Sequence, residues 1–82
     1  MERRRSPREP STEPAEIVYG FNKAISCVIR DTSRHGACLE VASSADAALL
    51  PEKFLLFRSS AQTMRTCRVV WRSFQRLGVE FN

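Results

Sequence analysis

Eighty-two residues suit one domain, because a chain this short buries only about 60% of the surface its unfolded form exposes and has no room for a second core. An apolar fraction of 43% beside 27% charged residues is ordinary for a globular protein and excludes a collagen-like or wholly disordered chain. The formal charge is +4, and eleven of the thirteen basic residues are Arg, a bias toward planar, bidentate recognition of phosphates or base edges.

Cys27, Cys38 and Cys67 are odd in number and widely spaced, with no C-x-x-C and a single histidine, His35. That pattern supports neither a disulfide framework nor a zinc site, and no metal is expected. It fits a reduced, cytoplasmic chain whose cysteines serve as small buried apolar residues. The longest purely apolar runs, such as Phe54-Leu55-Leu56-Phe57, are four residues long, so neither a signal peptide nor a membrane span is expected.

In chain order, residues 1–16 come first, with three of the four prolines, four Arg, four Glu and no aromatic residue. This composition predicts a flexible N-terminal arm. From residue 17 the pattern changes to short stretches of period two. Residues 17–21 form a candidate strand, followed by the alternations Ile25/Cys27/Ile29 and Ala37/Leu39/Val41. Residues 45–50, cut off by Pro51, read as a helical turn. Residues 53–58 are apolar on both faces, and Cys67/Val69/Trp71 and Leu77/Val79/Phe81 complete the series. Turn signals fall at 20–22, 31–36, 43–46, 59–60 and 73–75. About six strands with one alternating apolar face each predict an all-β, six-stranded antiparallel barrel over residues 17–82, since closure removes exposed sheet edges.

Two motifs stand in this frame. The arm contains Arg4-Arg5-Ser6-Pro7-Arg8, an R-x-x-x-R, and the turn after the second strand reads Asp31-Thr32-Ser33-Arg34-His35-Gly36, a D-x-S-x-x-G. In this order, followed by Val69-Val70-Trp71-Arg72 and Leu77-Gly78-Val79-Glu80-Phe81, the chain resembles the PilZ domain family over essentially its whole length. The resemblance implies a barrel that receives the bacterial second messenger cyclic di-GMP as ligand, without a further cofactor. It implies binding by Arg4, Arg8, Asp31, Ser33 and Gly36, with the arm folding over the ligand and signalling to an effector protein the sequence does not identify. Arg3 precedes the motif, a feature of members that take up a mutually intercalated pair of ligand molecules; Arg5 and Arg34 are further candidates for phosphate contact.

The residue chemistry agrees with these roles. Guanine presents O6 and N7 as an acceptor pair for an Arg fork, and the ligand carries two phosphodiester charges. Asp31 can accept from guanine N–H groups, and Ser33 can donate or accept. Gly36 permits either a positive φ or a close backbone approach. Plainer readings stand beside these: terminal arginines as solvated charges, Asp31 and Ser33 as caps of a tight turn, His35 as an exposed turn residue, and Trp71 as part of the core or barrel rim.

An enzyme is not expected, because one histidine, no paired carboxylates and no phosphate loop leave no acid, base and nucleophile set. Two other functions remain open at this level. One is an interaction adaptor of the same fold that binds no ligand. The other is a small basic barrel for single-stranded nucleic acid, which the placement of most aromatics on apolar strand phases disfavours.

Overall fold

A computed structural model describes residues 9–82. The elements are β1 (Glu9–Tyr19), β2 (Lys23–Thr32), β3 (Gly36–Glu40), α1 (Ser44–Leu49), β4 (Lys53–Arg58), β5 (Thr63–Ser73) and β6 (Arg76–Phe81). All strand pairings are antiparallel, and the order β1-β2-β3-β6-β5-β4 closes on itself as a barrel.

The alternating residues do what period two dictates. Ile17, Ile29, Leu39, Leu56, Cys67 and Leu77 are fully buried inside the barrel, one from each strand. Polar and charged neighbours occupy the outer phase of most strands. α1 adds Ala47 to this core, its C-cap Leu50 joins it there, and the helix lies against β5 and β6. It starts where the Ser43 hydroxyl accepts the Asp46 amide at 3.1 Å, an N-cap, and stops before Pro51, which holds Leu50 extended. Arg72 satisfies the end of the helix by donating Nη1 to the Ala47 and Leu50 carbonyls at 2.6 and 2.8 Å.

One boundary differs from the sequence reading. β1 begins at Glu9 rather than near residue 17, so residues 9–16 belong to the barrel wall and not to an arm. Composition suggested otherwise because of Pro10 and Pro14. Both prolines fall where β1 pairs with β2 alone, since its pairing with β4 covers only Glu16, Ile17 and Val18. In a stretch bonded on one side, a missing N–H is tolerated.

Three register shifts interrupt the ladders: in β1 between Pro10 and Glu13, in β2 between Ile29 and Asp31, and in β5 between Val69 and Trp71. Because the extra residue of a bulge is left unpaired, residues two apart across it fall on opposite faces of the sheet. The shifts in β2 and β5 therefore decide which side chains leave the core.

Candidate functional site

If Arg30 were paired in a regular ladder, Asp31 would share the inward phase of Cys27 and Ile29. With Arg30 left out of the ladder, Asp31 stands opposite Cys38, whereas Ile29 stands opposite the core residue Leu39. Val70 has the same effect on β5: Cys67 and Val69 are buried, but Trp71 is turned outward and is 45% exposed. Of the sequence readings of Trp71 as core or rim, the core reading is excluded, and the bulge at Val70 is the reason.

These two turned-out residues line one groove of about 520 Å³ on the outer wall, together with Gly36, Arg76, Gly78 and Glu80. Its floor requires the two glycines. A Cβ on Gly36 would overlap the Val79 carbonyl oxygen, and one on Gly78 would overlap the Trp71 indole. Gly36 has no positive φ, so close approach, the second of the two expected reasons, accounts for it. The indole lies over Gly78 because nothing but hydrogen occupies that place.

The turn at one end of the groove is braced by its own side chains. The Ser33 amide donates to the Gly36 carbonyl at 2.8 Å, and the His35 amide donates to the Ser33 hydroxyl at 3.3 Å. Ser33 thus performs the turn-capping role that its residue type allows. The Phe81 amide donates to the His35 carbonyl at 2.8 Å, tying the end of β6 to the same turn. Arg34 is exposed on the turn and does not line the groove.

Charges of both signs surround the groove. Arg76 lies 3.4 Å from Glu40, which also faces Arg30 at 3.5 Å, and Arg68 meets Glu80 at 2.6 Å. Among the described residues no group of histidine, cysteine and carboxylate side chains could hold a metal ion. Cys27, Cys38 and Cys67 are all buried thiols. Burial pushes Cys27 up to about 12 and Cys67 up to about 11, with each other's proximity adding to the shift at Cys27.

Of the residues singled out from sequence, the structure brings Asp31 and Gly36 into the groove and places Ser33 in the turn beside it. Arg3, Arg4, Arg5 and Arg8 lie outside the described residues. Trp71, Arg76, Gly78 and Glu80 are among the groove residues that sequence reasoning did not assign. Phe21 and Phe74, which fall within turn signals of the sequence, sit at hairpin tips with 94% and 87% exposure.

A closed six-stranded barrel with a recessed outer groove beside a D-x-S-x-x-G turn has the architecture of a small receptor barrel. The PilZ domain family matches residues 2–82. The chain belongs to that family, whose members are receptor domains for cyclic di-GMP. No curated protein is significantly similar to the chain. Among the described residues, no helix is long and apolar enough to cross a membrane.

Proposed function

We propose that the chain is a cyclic di-GMP receptor that takes the ligand into the groove between Asp31 and Trp71 and signals to a protein partner. The observation that carries this reading is the register of β1: Glu9 stands opposite Thr32 and Pro10 opposite Asp31. Glu9, which follows Arg8 in the chain, thus enters the barrel beside the D-x-S-x-x-G turn, although that turn begins 23 positions after Arg8. Two motifs remote in sequence thereby serve one groove.

The chemistry divides between the two sides. Arg4 and Arg8 supply forked donors for guanine O6 and N7 or for phosphate oxygens. Asp31 accepts from guanine N–H groups, and the exposed indole of Trp71 offers a face on which a base stacks, worth about 1–3 kcal/mol by truncation. The arginine segment closes over the bound ligand, and the combined surface is what a partner reads.

Isothermal titration tests this directly. Cyclic di-GMP is expected to bind in preference to GTP, cyclic AMP and a short single-stranded oligonucleotide. Equal heats for GTP and cyclic di-GMP would reject the reading, and preferential binding of the oligonucleotide would favour the nucleic-acid alternative. Arg4→Ala and Arg8→Ala should each weaken binding well over tenfold, a loss of about 2–5 kcal/mol for a desolvated charged contact. Neither should lower the melting temperature of the empty protein. Saturation near two ligands per chain would support the intercalated pair implied by Arg3, and saturation at one would reject that pair alone.

A further inference from the structure

β1 is held unevenly. On the β2 side its pairing runs from Tyr19 to Glu9, whereas on the β4 side it ends at Glu16. The first half of β1 also contains the register shift between Pro10 and Glu13, which leaves Ser11 and Thr12 out of the ladder. A strand bonded along one edge and interrupted by a bulge is bent there and has fewer ladder bonds to hold it. This bulge directly follows Glu9 and Pro10, the residues opposite Thr32 and Asp31.

Glu13 bridges the gap. Its carboxylate accepts Arg58 Nε at 3.0 Å and Nη2 at 2.7 Å, and the Ser60 hydroxyl donates to it at 2.6 Å. Three donors from the end of β4 and the turn after it converge on one side chain of β1. On the same residue, the Glu13 amide donates to the Ser11 hydroxyl at 3.0 Å and fixes the bulge from within. The two side chains are only 18% and 27% exposed, so the fork is better shielded than an ordinary surface pair.

We propose that the Glu13–Arg58–Ser60 cluster is a positioning latch, which holds the first half of β1 in place beside the D-x-S-x-x-G turn and thereby raises affinity for cyclic di-GMP. None of the three side chains lines the groove; they act through the backbone of β1. The proposal rests on the receptor reading above for its ligand, but its structural half is independent of any ligand.

The test uses the full chain with two readouts. In the ligand-free protein, Glu13→Gln and Arg58→Gln should each speed amide exchange at residues 11–13 by about tenfold or more while leaving 17–19 unchanged, because the opening is local. In titration with cyclic di-GMP, each variant should bind about fivefold or more weakly, and the double variant no more weakly than either single one, as expected for one shared interaction. The exchanged pair Glu13→Arg with Arg58→Glu should recover most of the loss. Ile17→Val, a core change that lowers stability without touching the latch, should leave affinity unaltered. Unchanged exchange in both single variants overturns the latch. Faster exchange with unaltered affinity overturns its role in binding. If the wild-type chain gives no heat with cyclic di-GMP, the receptor reading falls, and exchange alone then decides whether the latch holds the strand.

Discussion

Gly36 and Gly78 line the same groove but answer to different neighbours. Gly36 faces a backbone carbonyl of β6, which can retreat only if the β3–β6 ladder shifts. Gly36→Ala should therefore destabilise the barrel by about 1–3 kcal/mol or more through overpacking, read as a lower melting temperature. Gly78 faces an indole that is nearly half exposed and free to swing away. Gly78→Ala should cost little stability, yet it should alter Trp71 fluorescence and weaken cyclic di-GMP binding, because the ring leaves its place over the groove floor. Glu13 adds a pH signature. The Arg58 fork and the Ser60 hydroxyl hold its carboxyl below the ordinary value of 4.5. A depressed carboxyl stabilises the fold fully above its unfolded pKa, and that contribution disappears as pH falls through the lower folded value. The melting-temperature gap between wild type and Glu13→Gln should accordingly be widest above about pH 5 and narrow as the solution is made more acidic. A gap independent of pH would contradict the ion pair.

Strand irregularities do at the level of the element what motifs do at the level of the residue. Deleting Val70 would remove the bulge and place Trp71 directly after the inward Val69, so that regular alternation keeps the indole outward and opposite Gly78. Val70→Thr preserves the count and the strand propensity. Both variants should therefore keep a dispersed amide spectrum and an indole outside the core, read by amide NMR and Trp71 fluorescence. The same effect explains what could be read from the chain before its structure was known. Six strands, their antiparallel closure and the short helix follow from period two, turn residues and Pro51. The phase inversion at Val70 leaves no trace in composition, so Trp71 looked like a continuation of Cys67 and Val69. At Asp31, the motif marks a residue that lines the groove without showing that the bulge at Arg30 is what turns it outward. Residues 9–16 looked unable to join a sheet because prolines and charges dominate them. Their partner strand, β2, is distant in that reading and adjacent in the fold.

At the scale of the whole molecule, the core carries thiols that the fold keeps neutral. Cys27 and Cys67 are pushed up to about 12 and about 11 by burial, so between about pH 9 and those values the unfolded chain ionises them and the native one does not. Stability should then fall as pH rises, by at most about 1.4 kcal/mol per pH unit for each thiol. Denaturant unfolding from pH 8 to 10.5 should show this slope, and Cys27→Ala should make it shallower. A final consequence follows from where the strands start and stop. Glu9 stands opposite Thr32, and Glu80 stands opposite Gly36, so the outermost strands of the chain flank one turn from its two sides. A polypeptide fused before Glu9 or after Phe81 would leave the barrel within a few residues of the groove proposed to take the ligand. Such a fusion partner would sense occupancy directly, with no relay through the core, and a bulky affinity tag at either position would compete with the very event it was meant to help measure. A reporter dye belongs instead at the hairpin carrying Phe21, on the far side of the β1–β2 ladder from that turn.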